Sequence, residues 1–326
     1  MEKNLLIQSA KHPRNDKGLW TLLDVFVLLP LFYIMLSIPV ALVLDVVNKV
    51  DISNYTLITL RFSSGTLILQ FLTMILAVWL VTMITEKRSF ISYGLDGHHK
   101  LKKYIFGFYI GFMMITFVTF MILLLGGGKV DPSYLKVSGI KALPTILIML
   151  VGWIVQGAAE EIVTRGFILS KLSYRFHIFF AVLISSTVFS LLHIGNEGIG
   201  ALPLINLSLF GLFAALYSLY EEGILGICAL HSAWNFFQGN IYGFLVSGQS
   251  PKGGSLIGVI ASDKTLINGG EFGPEGGIIV TVVLSIAAAF MLILIIKKER
   301  KNTSEEVLND NEHDGLIYFK ADKNEF

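Results

Sequence analysis

Glu160, Glu161 and Arg165, then His193, then His231 with Asn235, all stand inside long apolar stretches, where a charged or strongly polar side chain needs a reason. Each ionisable group at a bilayer centre costs about 2.5 to 3.5 kcal/mol, so the first three would cost on the order of 8 to 10 kcal/mol uncompensated. Glu161 and Arg165 are four apart with the acid first, the favourable order for an ion pair along one helical face. Glu160 is turned about 100° from Glu161 and is left over. His231 and Asn235, also four apart, share one side of their helix. Carboxylate, imidazole and carboxamide groups gathered in a low-dielectric pocket can activate a water by general-base catalysis. Two histidines and a glutamate from separate helices can instead hold zinc at an open three-ligand site. Unrelated clusters would each need their own partners in a medium without water, so one central polar site is the economical account.

What must position these groups is a stack of membrane helices. The 326-residue chain is 54% hydrophobic and 15% charged, against roughly 25% charge in a soluble domain. It holds several runs of the ~20 apolar residues needed to cross a hydrocarbon core. An all-α polytopic membrane bundle follows, with about eight transmembrane helices. They run near Trp20 to Leu44, Leu67 to Ile84, Tyr104 to Leu125, Pro144 to Leu172, Ile178 to Leu192, Leu202 to Tyr220, Ile224 to Val246 and Gly277 to Ile296. The first run follows Lys11, Arg14 and Lys17 but lacks a small-residue cleavage pattern, so it reads as a retained helix rather than a signal peptide.

Lys87, Arg88, Lys100, Lys102 and Lys103 crowd one loop, Lys171 and Arg175 the next on that side, and Lys297, Lys298, Arg300 and Lys301 the tail. This bias places both termini in the cytoplasm, although Lys49, Lys129, Lys136, Lys141, Lys252 and Lys264 occupy the opposite loops. The chain then divides into a cytoplasmic N-terminal segment (1–18), three transmembrane helices (19–141), four more that carry all six polar residues (142–246), a loop and the last helix (247–300), and a polar cytoplasmic tail (301–326). In the last loop, Gly269 to Gly277 permits tight turns before the final helix, either as a simple lead into it or as a gate. No internal repeat is visible, which argues against the halves of a transporter. The net charge of +1, with no basic face, gives no reason to propose nucleic acid. The single cysteine, Cys228, excludes an intramolecular disulfide and reads as a packing residue.

Glu160-Glu161-Ile-Val-Thr-Arg165, Phe189-x-x-x-His193 and His231-x-x-x-Asn235, in that order, resemble the three motifs of the CAAX protease and bacteriocin-processing (Abi) family of intramembrane proteases. The resemblance covers roughly Pro144 to Asn240 and departs at no motif position. It implies that 142–246 is a catalytic core and that the chain is an intramembrane endopeptidase, cutting a peptide bond with a glutamate-activated water. By that resemblance Glu160 is the base, His193 helps hold the water, His231 and Asn235 donate to the oxyanion, and Glu161 and Arg165 support them. A peptide or membrane-protein substrate and the lipid bilayer are the implied partners, with the cell membrane as location.

Zinc on Glu160, His193 and His231 stays an open alternative. The family is often called a metalloprotease, whereas the chain has no His-Glu-x-x-His and Asn235 suits an oxyanion better than a coordination sphere. A non-proteolytic scaffold or bacteriocin-immunity protein of the same fold is the competing function. A transporter using Glu160 as a proton carrier is a third, disfavoured by the lack of repeats. At 1.5 Å per residue, Glu160 and His231 would lie about 15 Å from the cytoplasmic side and His193 some 20 Å or more. Tilt, a late start to the fifth helix, or a break near its motif would bring them level.

Overall fold

The computed structural model describes residues 1, 3–49, 56–131, 138–250 and 253–321, with side chains in these ranges except at 47–49, 56–64 and 305–321. Lys136, Lys252 and the end of the polar tail lie outside the described residues, as do the side chains of Lys49 and of most of the tail.

The chain folds as a helical membrane bundle. After α1 (Leu5–Gln8), α2 (Gly18–Leu23) runs through a π-helical turn, Asp24–Leu28, into α3 (Leu29–Lys49). Next come α4 (Thr56–Thr85), α5 (Lys100–Leu124) and α6 (Leu143–Glu161), which continues through a π-helical stretch, Ile162–Leu169, into α7 (Ser170–Arg175). Then follow α8 (Ile178–Leu191), α9 (Ala201–Glu221), α10 (Leu225–Phe236), α11 (Thr265–Asn268) and α12 (Ile278–Ala321). Strands β1 (Gly128–Val130) and β2 (Val259–Ala261) pair antiparallel with Lys129 opposite Ile260. Among the described residues, six helical stretches are long and apolar enough to cross a membrane. The fifth and seventh expected spans are shorter, α8 having 14 residues and α10 having 12 before its π-helical turn at Phe237–Ile241.

Helices α6 and α10, which carry the first and third polar motifs, pack against each other, and α10 also lies along α5. Backbone proximity requires small residues there. A Cβ on Gly111 would collide with the Leu230 carbonyl, and one on Gly157 would sit 2.6 Å from Ser232 Oγ and 2.8 Å from its backbone nitrogen. Gly157→Ala is therefore expected to push α6 away from the residue next to His231. A loss of about 1 to 3 kcal/mol in stability follows from such overpacking, checked by thermal unfolding in detergent; an unchanged melting temperature contradicts it.

A buried charge network closes one end of the bundle. Lys171 Nζ lies 2.7 Å from both Asp24 Oδ2 and Glu86 Oε1, and both partners and the lysine are fully buried. Arg14 pairs with Asp24 at 2.8 Å, Arg88 with Glu86 at 2.6 Å, and the Tyr93 hydroxyl donates to Glu86 at 2.8 Å. Lys171, expected beside Arg175 as a loop charge, is thus inside the protein, and the network ties the N-terminal segment to α4 and α7. That segment is docked as well: Leu6 and Ala10 are core residues, and the terminal ammonium meets Glu299 at 2.5 Å, so the amino terminus and the far end of the last apolar stretch share one side.

Burial alone would raise the Glu86 carboxyl, but Lys171 and Arg88 beside it, with the Tyr93 hydroxyl, pull it from 4.5 down to about 2. The folded value is the lower one, so this stabilisation is complete above about pH 4.5 and disappears as pH falls through about 2. Glu86→Gln should flatten the dependence of melting temperature on pH across that window. An acid limb as steep as the native protein's would contradict the assignment.

Candidate active site

The last turns of α6 deliver Gln156, Glu160 and Glu161 to the interior, and the π-helical stretch after them delivers Thr164 and Arg165. Such widened turns recur at functional sites because they re-aim side chains without ending the helix. Arg165 lies 3.1 Å from Glu161 Oε2 with both side chains fully buried, the ion pair expected from their spacing. It also donates to the Gly211 carbonyl at 3.2 Å and to Thr164 Oγ1 at 2.5 Å, and stacks 4.6 Å above the Phe189 ring.

Across from them, α10 presents His231, whose Nδ1 donates to Glu161 Oε1 at 2.9 Å. His193 sits on the turn just past α8, its Nδ1 bonded to the Phe189 carbonyl at 2.9 Å. A carboxylate and a carbonyl only accept, so each ring carries its hydrogen on Nδ1 and turns Nε2 inward. Both Nε2 atoms stand 3.9 Å from the same atom, Glu160 Oε2. That oxygen is buried and has no hydrogen-bond partner among the described residues. The other oxygen, Oε1, accepts from Gln156 Nε2 at 2.6 Å, and Gln156 Oε1 accepts from Asn235 Nδ2 at 2.8 Å.

The six sequence-predicted residues therefore meet at one place. The difference in depth between His193 and the others vanishes because the helix of Glu160 runs on to Arg175 and α8 starts only at Ile178. Glu160 lies as far in sequence before Arg175 as His193 lies after Ile178. A cavity of about 130 Å³ opens against Glu160, Gln156, His193, Asn235, Tyr33 and Ser247. Behind it a pocket of about 20 Å³, room for one water, is lined by His231, Glu275 and again by His193, Asn235 and Ser247.

Gln156, Ser247 and Glu275 escaped the sequence reading. Gln156 had a signal, lying one helical turn before Glu160. Ser247 and Glu275 had none, because they reach the site from the loop between α10 and α12. Asn235 departs from its expected role in one respect: its amide already donates to Gln156, and its Oδ1 is buried without a partner among the described residues.

Whether the donor set suits zinc can be judged from spacing. Zinc bonds of ~2.1 Å in a tetrahedron set ligand atoms about 3.4 Å apart, closer than the 3.9 Å between Glu160 and either imidazole. Among the described residues no group of three His, Cys, Asp or Glu side chains is arranged to hold a metal ion. The arrangement does not fit zinc.

A helical membrane bundle with a buried glutamate facing two imidazoles defines a class of membrane-embedded site suited to acid–base chemistry. The family model that matches the chain, over residues 142–237, is Rce1-like, described as a type II CAAX prenyl endopeptidase. The match spans all three polar motifs. No curated protein and no solved structure matches it.

Proposed function

We propose that the chain is an intramembrane endopeptidase of the CAAX-protease type in the cell membrane, with 142–246 as its catalytic core. It would cut a peptide or membrane-protein substrate with water activated by Glu160. The observation that carries this reading is Glu160 Oε2, without a hydrogen-bond partner among the described residues and 3.9 Å from both inward-facing imidazole nitrogens. A separation of that size suits one water held between the three groups better than any direct bond.

In this reading Glu160 removes the proton from the attacking water and passes it to the leaving amine, while His193 Nε2 accepts a hydrogen bond from the water's other O–H, which stays on the attacking oxygen. Gln156, fixed between Glu160 and Asn235, keeps the carboxylate turned toward the histidines. Neutral His231 with its hydrogen on Nδ1 offers only an acceptor at Nε2, so it serves the oxyanion in its protonated form, which carries a hydrogen on both nitrogens and keeps that proton through the turnover. Glu161, 2.9 Å from Nδ1, is placed to steady the charged ring. Arg165 in turn neutralises Glu161 when the ring is neutral.

The test is cleavage of a peptide library by the purified protein in proteoliposomes, native against Glu160→Gln and His193→Ala. Cleavage by the native protein alone supports hydrolysis at this site. Equal cleavage by both variants overturns it.

A further inference from the structure

The glycine-rich loop before α12 is built around one anchored contact with the site. Ser247 has a left-handed backbone, φ 47°, which a residue with a side chain adopts only when its surroundings force it. Three groups do so. The buried Glu275 carboxylate accepts the Ser247 backbone N–H at 2.5 Å and its hydroxyl at 3.2 Å, and Asn196 donates to the Ser247 carbonyl at 2.8 Å. Gly248, the next residue, donates to the Phe272 carbonyl at 2.9 Å.

Glu275 is held in its turn. Gln238, on the π-helical turn that follows α10, donates to its carboxylate at 3.0 Å, and Asn206 of α9 donates to its backbone carbonyl at 2.7 Å. Gly269, Gly270 and Gly273 take positive φ and fold the loop back over the bundle so that Glu275 can point inward. Ser247, so fixed, lines both the 130 Å³ cavity beside Glu160 and the small pocket beside His231, and Asn196 lies on the turn that carries His193.

We propose that Glu275 is a positioning residue for the hydrolysis, acting through Ser247. The left-handed serine is the outer wall of the water pocket, and the glutamate holds it against the turn of His193. This rests on the reading of the site as hydrolytic. The loop is then neither a passive lead into α12 nor a moving gate, but a fixed lid whose clasp is one carboxylate.

The role predicts a particular rescue. Glu275→Ala removes the clasp, Ser247 relaxes out of the left-handed region, and the wall withdraws from His193. Displacements of this order in a reacting group's surroundings cost up to about a hundredfold in rate, so kcat should fall about tenfold to a hundredfold with KM changed less than about threefold. Glycine needs no clasp to be left-handed, so Ser247→Gly combined with Glu275→Ala should return kcat to within about threefold of Ser247→Gly alone. Ser247→Val, β-branched and disfavoured in that region, should lose kcat like Glu275→Ala while leaving the carboxylate intact, and it carries the test should Glu275→Ala fail to fold.

The experiment measures kcat and KM for these four variants and for Glu160→Gln in proteoliposomes, with melting temperatures recorded. Loss on Ser247→Val, and on Glu275→Ala where that variant folds, with recovery only through glycine supports the clasp. Glu275→Ala or Ser247→Val cleaving like the native protein while Glu160→Gln is inactive overturns the clasp and leaves the hydrolysis standing. Glu160→Gln cleaving like the native protein overturns the hydrolytic reading itself. Failure of the glycine double variant to recover shows that Glu275 acts otherwise than through Ser247.

Discussion

Glu160→Gln is expected to lower kcat by about a thousandfold or more while leaving the melting temperature within a few degrees of native. Removing a general base costs typically ~10²- to 10⁴-fold, equivalent to about 3 to 5 kcal/mol of barrier. The substitution keeps the shape of the side chain and can keep its bond with Gln156. What it removes is the basicity of the oxygen that faces His193 and His231. Because substrate would still find the same cavity, KM should move little, and the loss should appear in single-turnover as well as steady-state rates. Retention of more than a tenth of native kcat would show that the proton goes elsewhere.

Arg165→Ala should have the largest effect on stability. Glu161, fully buried, would lose the cation 3.1 Å away and keep only His231, and breaking a buried pair from one side costs about 3 to 5 kcal/mol. Most of that cost is the stranded carboxylate, not the lost attraction. Glu161→Gln combined with Arg165→Met should therefore recover much of the stability, since neutral residues of similar size need no counter-charge. It should not recover activity, because His231 would no longer hold an anion at Nδ1. Thermal unfolding and cleavage assays on the single and double variants separate the two effects. A double variant as unstable as Arg165→Ala would contradict the account.

The parts of the site that local spacing determines were legible in the sequence. Glu161 with Arg165 and His231 with Asn235 follow from the helical repeat, and the expense of putting Glu160 and His193 in lipid marked them as partners of something. The assembly of helices followed from the length of the apolar runs, although α8 and α10 are shorter than spans read from hydropathy alone. What stayed hidden depends on pairs far apart in the chain. Lys171 reads as one more basic loop residue until Asp24 and Glu86 are seen on either side of it. Glu275 reads as a turn acid because its partners, Gln238 and Ser247, stand 37 and 28 residues earlier in the chain, and a left-handed serine has no compositional signal.

The most direct measurement of the central claim, that Glu160 activates a water which attacks the peptide bond, is a single turnover in ¹⁸O-water with hydroxylamine present. The products are then read by mass spectrometry. Direct attack by water predicts a new carboxyl terminus carrying one ¹⁸O atom and no peptide hydroxamate. Hydroxamate formed at the expense of the acid, which requires an acyl-enzyme, would contradict it.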